Sequence, residues 1–156
     1  MRILGIDPGL AIVGYSILDV EDETNTLNAS GSIQTDKNKT DAERLCEIES
    51  DMQTIIDRYK PDAASIEKLF YFKNQKTIIP VAEARGVILS VLQRNSIPIA
   101  EFTPIEVKQM ITGYGRATKD EVAKIVQLSI NCKKLPKLDD TVDSIAIALC
   151  HARNNM

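Results

Sequence analysis

The 156-residue chain has no tryptophan, one histidine and only three cysteines. Each shortage narrows the chemistry. His151 alone cannot build a histidine-rich metal centre. Cys46, Cys132 and Cys150 are odd in number, far apart and form no C-x-x-C pair. They read as reduced thiols of a cytoplasmic protein, not as a disulfide frame or a zinc site. No apolar run approaches the roughly 20 residues that cross a bilayer. Asp7 interrupts the opening apolar run too early for a secretion signal. No repeat, low-complexity stretch or linker is present, so 1–156 is expected to be one domain with room for a sizeable core.

Net charge is −3, which says little until it is divided along the chain. Residues 1–62 carry 6 Lys and Arg against 13 Asp and Glu, a net of −7. Residues 63–156 carry 13 against 9, a net of +4, and the two parts give −3. A basic second half points to a polyanionic partner on one face, although a solvated lysine-rich surface has the same composition.

Residues 2–7 read as a short buried strand bounded by Pro8-Gly9. Ile12–Val20 and Thr26–Thr35 read as two more strands joined by a polar turn. Thr40 or Asp41 caps a helix over 41–59, with Leu45, Ile48, Met52, Ile55 and Ile56 at helical spacing. A fourth strand is expected over 62–66, a polar aromatic loop over 68–76, a helix over 77–94 and a fifth strand over 97–101. Thr103-Pro104 opens a short helix. Thr118-Lys119-Asp120-Glu121 has capping-box spacing and opens another. A last helix covers 139–152. This order predicts an α/β domain whose antiparallel meander leads into parallel crossovers.

Four carboxylates stand where apolar elements do not need them. Asp7 ends the first strand and Glu67 the fourth, while Asp140 and Asp143 open the last apolar segment. Asp-Pro-Gly at 7–9 is also a common turn former, and Glu67 alone reads as the first solvated residue after a strand. Asp139 and Asp140 suit a helix N-terminus. Asp143 is harder to dismiss, because it aligns with Ala146, Ile147 and Cys150 and must therefore face inward or border the sheet. A carboxylate there needs a partner such as a cation. If the three elements converge, the four acids form a site for hard divalent ions, a standard device for cutting phosphodiesters.

Three of the seven aromatics lie at 70–72, directly after Glu67 and beside Lys73, Asn74 and Lys76. Aromatics among lysines stack on or wedge between unpaired bases, or else fold back onto the core. Lys108, Arg116, Lys119 and Lys124 surround Gly113-Tyr114-Gly115 and suit phosphate contacts. The spacing there is not that of a Walker loop. His151, near a helix end, reads as a surface residue compatible with the helix dipole.

Six stretches in order carry a family resemblance. They are Ile3-Leu-Gly-Ile-Asp-Pro-Gly; Ser65-Ile-Glu with Phe70 and Lys73-Asn74; Ala82-Glu-Ala-Arg-Gly; Glu101-Phe-Thr-Pro-Ile-Glu-Val-Lys-Gln; Gly113-Tyr-Gly-Arg-Ala-Thr-Lys; and Asp140-Thr-Val-Asp-Ser-Ile-Ala-Ile-Ala-Leu-Cys-His-Ala. Over essentially its full length the chain resembles the RuvC Holliday-junction resolvases.

The resemblance implies a ribonuclease-H-like fold, with a five-stranded mixed sheet flanked by helices. It implies a homodimer that nicks four-way junction DNA symmetrically in recombination and repair, in company with a junction-binding branch-migration motor. Two Mg2+ ions, replaceable by Mn2+, would be held by Asp7, Glu67, Asp140 and Asp143. Phe70 would meet the unpaired bases of the crossover, with Lys73, Asn74 and Arg116 as further DNA contacts. Lys108 and Lys119 would stand near the scissile phosphate, with Lys119 offsetting its charge. The chain departs from the family's usual small alanines at Thr141 and Val142, and Asp139 adds an acid beside Asp140. Two other readings compete: an actin- or sugar-kinase-like ATP-binding protein, which needs a second such domain, and a junction-binding module without catalysis, which has no use for four acids.

Overall fold

The structure is a computed structural model and describes residues 1–22, 24–69, 76–132 and 134–154. Strands β1 (Arg2–Asp7), β2 (Ile12–Glu21) and β3 (Thr24–Gln34) form the meander, and helix α1 (Asp41–Tyr59) leads from it to β4 (Ala63–Glu67). Helix α2 (Ile78–Arg94) returns the chain to β5 (Ile99–Phe102), followed by α3 (Pro104–Thr112), α4 (Lys119–Ser129) and α5 (Asp139–Asn154). The sheet order is β3-β2-β1-β4-β5. β1 pairs antiparallel with β2 and parallel with β4, so the expected mixed sheet forms. The fourth and fifth strands each end one residue later than expected, so Glu67 is the last residue of β4 and not the first beyond it.

Strand alternation sends successive side chains to opposite faces. Leu4 and Ile6 of β1, with Ala64 and Ile66 of β4, pack under α1 and α2 against Ile48, Met52, Ile88 and Leu92. Ile3 faces the other layer, with Ile145 to Leu149 of α5 and with Ile111 and Val126 of α3 and α4. Fully burying each such side chain contributes about 1.5–3 kcal/mol, so these two layers hold the sheet ends in place even where polar groups gather. Alternation gives Gly5 and Asp7 the same face as Ile3, which is the α5 side.

The helix starts follow their caps. Thr40, Thr103 and Thr118 each accept from the backbone N–H three residues on, and Glu43, Glu106 and Glu121 complete the capping boxes. No described helix is long and apolar enough to cross a membrane. The three cysteines are free thiols, with Cys46 exposed and Cys150 buried. His151 departs from its surface reading. It is buried, and burial lowers its pKa from the ordinary histidine value, because α5 is covered on nearly all sides.

Candidate metal and junction-DNA site

Two glycines decide how closely α5 lies on the sheet. A Cβ at Gly5 would overlap the Ser144 carbonyl and crowd Ala148, and one at Gly14 would overlap the Asp140 backbone. Gly14 is the β2 partner of Asp7. The bare backbone of β2 therefore lets the start of α5 descend beside the end of β1, carrying Asp140 to Asp7. Thr141 donates from its hydroxyl to the Gly31 carbonyl at 3.2 Å and ties the same helix turn to β3. Deeper in, Ser65 donates to the Ile147 carbonyl at 3.2 Å, so β4 is also fastened under α5.

Parallel pairing of β1 with β4 runs through Gly5–Ser65 and Ile6–Ile66. One step further, Asp7 and Glu67 stand side by side at the carboxyl ends of neighbouring strands. The Asp7 pKa is pushed up to about 9, first by burial, then by Glu67 and Asp143, by a hydrogen bond with Glu67 and by Asp140. Asp140 is half-buried and adds to the rise in the Asp7 pKa, while Asp139 is exposed. All four acids singled out in the sequence therefore share one electrostatic environment.

Lys119, the first residue of α4, is aimed by the Thr118 capping box and donates to Asp143 Oδ2 at 3.2 Å. Asp143, with its neighbour acids Asp139 and Asp7, raises the pKa of Lys119. Asp143 also has a raised pKa, although Lys119 pulls it down. The two shifts are compatible: the Lys119 side chain is 67% exposed and screened by water, while burial acts on Asp143 throughout. A cleft between β4, α3, α4 and α5 is lined by Glu67, Lys108, Lys119 and Asp143 over an apolar floor of Val107, Val122 and Ile147. Lys108 thus joins the site, whereas Arg116 stands exposed on the turn before α4 and does not line the cleft. Phe70, Lys73 and Asn74 lie outside the described residues.

Comparison with known proteins follows the same residues. The family model for crossover junction endodeoxyribonuclease RuvC matches residues 3–151. The chain belongs to the RuvC family. The crossover junction endodeoxyribonuclease RuvC of Halothermothrix orenii is 44% identical over 154 residues, 99% of this chain and 93% of that protein. Its counterpart in Prochlorococcus marinus is 46% identical over 149 residues, 96% of this chain and 94% of that one. The solved structure of T. thermophilus RuvC in complex with a Holliday junction substrate matches with a TM-score of 0.92 at 28% identity, covering 99% of this chain and 94% of that chain. The fold is therefore the ribonuclease-H-like fold of the resolvases. The activity is endonucleolytic hydrolysis of DNA phosphodiesters at crossover junctions.

RuvC-family endonucleases depend on a divalent metal, and the donor set here suits one. The acids offer hard oxygen ligands, and their crowding leaves Asp7 holding a proton that a cation would replace. Among the described residues, no three such side chains already close into a cage. Asp7 instead hydrogen-bonds with Glu67, and Asp143 accepts from Lys119.

The sequence reading did not single out Arg85 of α2 or Gly14. Arg85 appeared only within a family stretch, and Gly14 is an ordinary strand residue until its β1 partner is known.

Proposed function

We propose that Asp7, Glu67, Asp140 and Asp143 are the metal ligands with which this RuvC-family enzyme resolves four-way junctions, and that the metal is Mg2+, two ions per site. The observation that carries the reading is the raised pKa of Asp7, caused by burial and by the three other acids. Such a group favours a cation over isolation. When bound, the metal ions supply an activated water and stabilise the leaving 3′-oxygen. Asp7 gives up its proton on loading. Asp143 holds Lys119 at the mouth of the cleft, where its ammonium offsets charge on the scissile phosphate. Lys108, from α3, lines the same cleft and serves as a second phosphate contact. Phe70 meets unpaired bases at the crossover, and Lys73, Asn74 and Arg116 bind the backbone of the arms.

Two copies related by a two-fold axis meet the nearly symmetric junction and cut two strands of like polarity. Helix α2 is the contact between copies; Ile79 on its outer side is 68% exposed. The dimer works in the cytoplasm with a branch-migration motor complex, and 1–156 acts as one domain.

The test is a synthetic four-way junction beside linear duplex, each with Mg2+ or chelator. Paired nicks confined to the junction and dependent on Mg2+ are expected. Equal cutting of linear duplex would remove the structure selectivity, and cutting in chelator would remove the metal role.

A further inference from the structure

Arg85 is an arginine that neither the metal ligands nor the DNA contacts use. It belongs to α2, in the layer opposite α5, yet its side chain is only 14% exposed. A guanidinium so placed must be paired. Its Nε donates to the main-chain carbonyl of Glu67 at 3.1 Å, and its terminal nitrogen pairs with the Glu101 carboxylate. Glu101 is the β5 partner of Ile66, the residue just before Glu67. One planar group therefore joins α2, β4 and β5 at the last residue of β4. Glu67 is the last residue of β4 and pairs with Phe102 of β5, one step past the Ile6–Ile66 pairing with β1. The Lys68 N–H, which donates to Phe102 at 2.8 Å, is the next fastening.

We propose that Arg85 is a positioning residue for the metal site. By fixing the Glu67 main chain, it fixes where the Glu67 carboxylate stands beside Asp7. Glu101 in turn orients the guanidinium fork and neutralises its charge. This inference rests on the assignment of Glu67 and Asp7 as metal ligands. Outer partners of metal ligands act in this way, and their loss costs about 10- to 100-fold in metal affinity or activity. Lysine cannot replace the clamp, because an ammonium lacks the planar fork that reaches the carbonyl and the carboxylate together.

The test uses the full chain with Arg85→Gln, Arg85→Lys and Glu101→Gln. Three quantities are read: the Mg2+ concentration at half-maximal single-turnover junction cleavage, the rise in melting temperature on adding Mg2+, and junction affinity in Ca2+. For Arg85→Gln the Mg2+ midpoint should rise about tenfold. The Mg2+-induced melting shift should shrink, while junction affinity stays within about twofold of wild type and cleavage recovers at high Mg2+. Arg85→Lys should show the same defect in weaker form, and Glu101→Gln a smaller one still. A well-folded Arg85→Gln with an unchanged Mg2+ midpoint overturns the proposal. If that variant does not fold, a folded Arg85→Lys with an unchanged midpoint overturns it equally. Asp7→Asn separates the two levels. If it keeps cleavage and the Mg2+-induced melting shift, the ligand assignment itself fails. If it loses both while the Arg85 variants match wild type, only the role of Arg85 fails.

Discussion

Gly14 of β2 lies against the backbone of Asp140, closely enough that a single methyl group at position 14 would overlap it. Gly14 also pairs with Asp7 across the β1–β2 ladder. The distance between two of the four acids is thus set by a residue with no functional group.

Gly14→Ala should push the start of α5 off the sheet. Overpacking of this kind costs about 1–3 kcal/mol. Urea unfolding should show that modest loss, whereas cleavage should fall much further, because Asp140 moves relative to Asp7. An active Gly14→Ala enzyme with wild-type Mg2+ dependence would show that the approach of Asp140 is not needed.

Asp7→Asn should abolish cleavage and leave junction binding intact. It also removes the carboxyl that must take up a proton on folding at pH 8, since the folded Asp7 pKa is about 9. Without metal, the variant should therefore melt higher than wild type at pH 8. Relief of about 1 kcal/mol moves a chain of this size by about 2–4 °C. Added Mg2+ should stabilise wild type and leave the variant nearly unmoved. Differential scanning calorimetry with and without Mg2+ measures both effects.

The raised pKa of Asp7 sets a pH dependence. Its folded value of about 9 lies above the ordinary carboxylate range. Between those limits the folded chain holds a proton that the unfolded chain has released, so metal-free stability falls as pH rises through that window. On the proposed ligand assignment, Mg2+ should displace this proton. Calorimetric Mg2+ titration at pH 7 should release it to the buffer, so the measured heat should change with buffer ionisation enthalpy. A heat that is the same in every buffer contradicts proton displacement.

Lys119 and Arg116 should fail in different ways. Lys119 sits 3.2 Å from Asp143 in the cleft. Lys119→Ala should therefore lower the single-turnover rate by about 100-fold with little loss of affinity, as for other groups that meet charge at the reacting centre. Arg116 is exposed outside the cleft. Arg116→Ala should weaken binding to all junction sequences alike and reduce the slope of log affinity against log salt by about one. Rapid-quench kinetics and salt-dependent binding separate the two.

Local sequence determined much of this enzyme. Short apolar runs bounded by turn residues marked the strands, and Thr40 or Asp41, Thr103-Pro104 and the Thr118–Glu121 box marked three helix starts, because those interactions close within four residues. Asp143 was legible as an inward acid from its helical alignment with Ala146 and Ile147. Tertiary packing decided the rest. Asp140 acts on Asp7, and its backbone lies on Gly14, a contact between residues far apart in the chain. His151 became a buried group for a similar reason, since α5 is enclosed by the sheet and by α3 and α4. Arg85 reaches Glu67 only once α2 has folded over the sheet and β5 has paired with β4. Residue spacing encodes which face a side chain takes, but only register and packing bring two faces together.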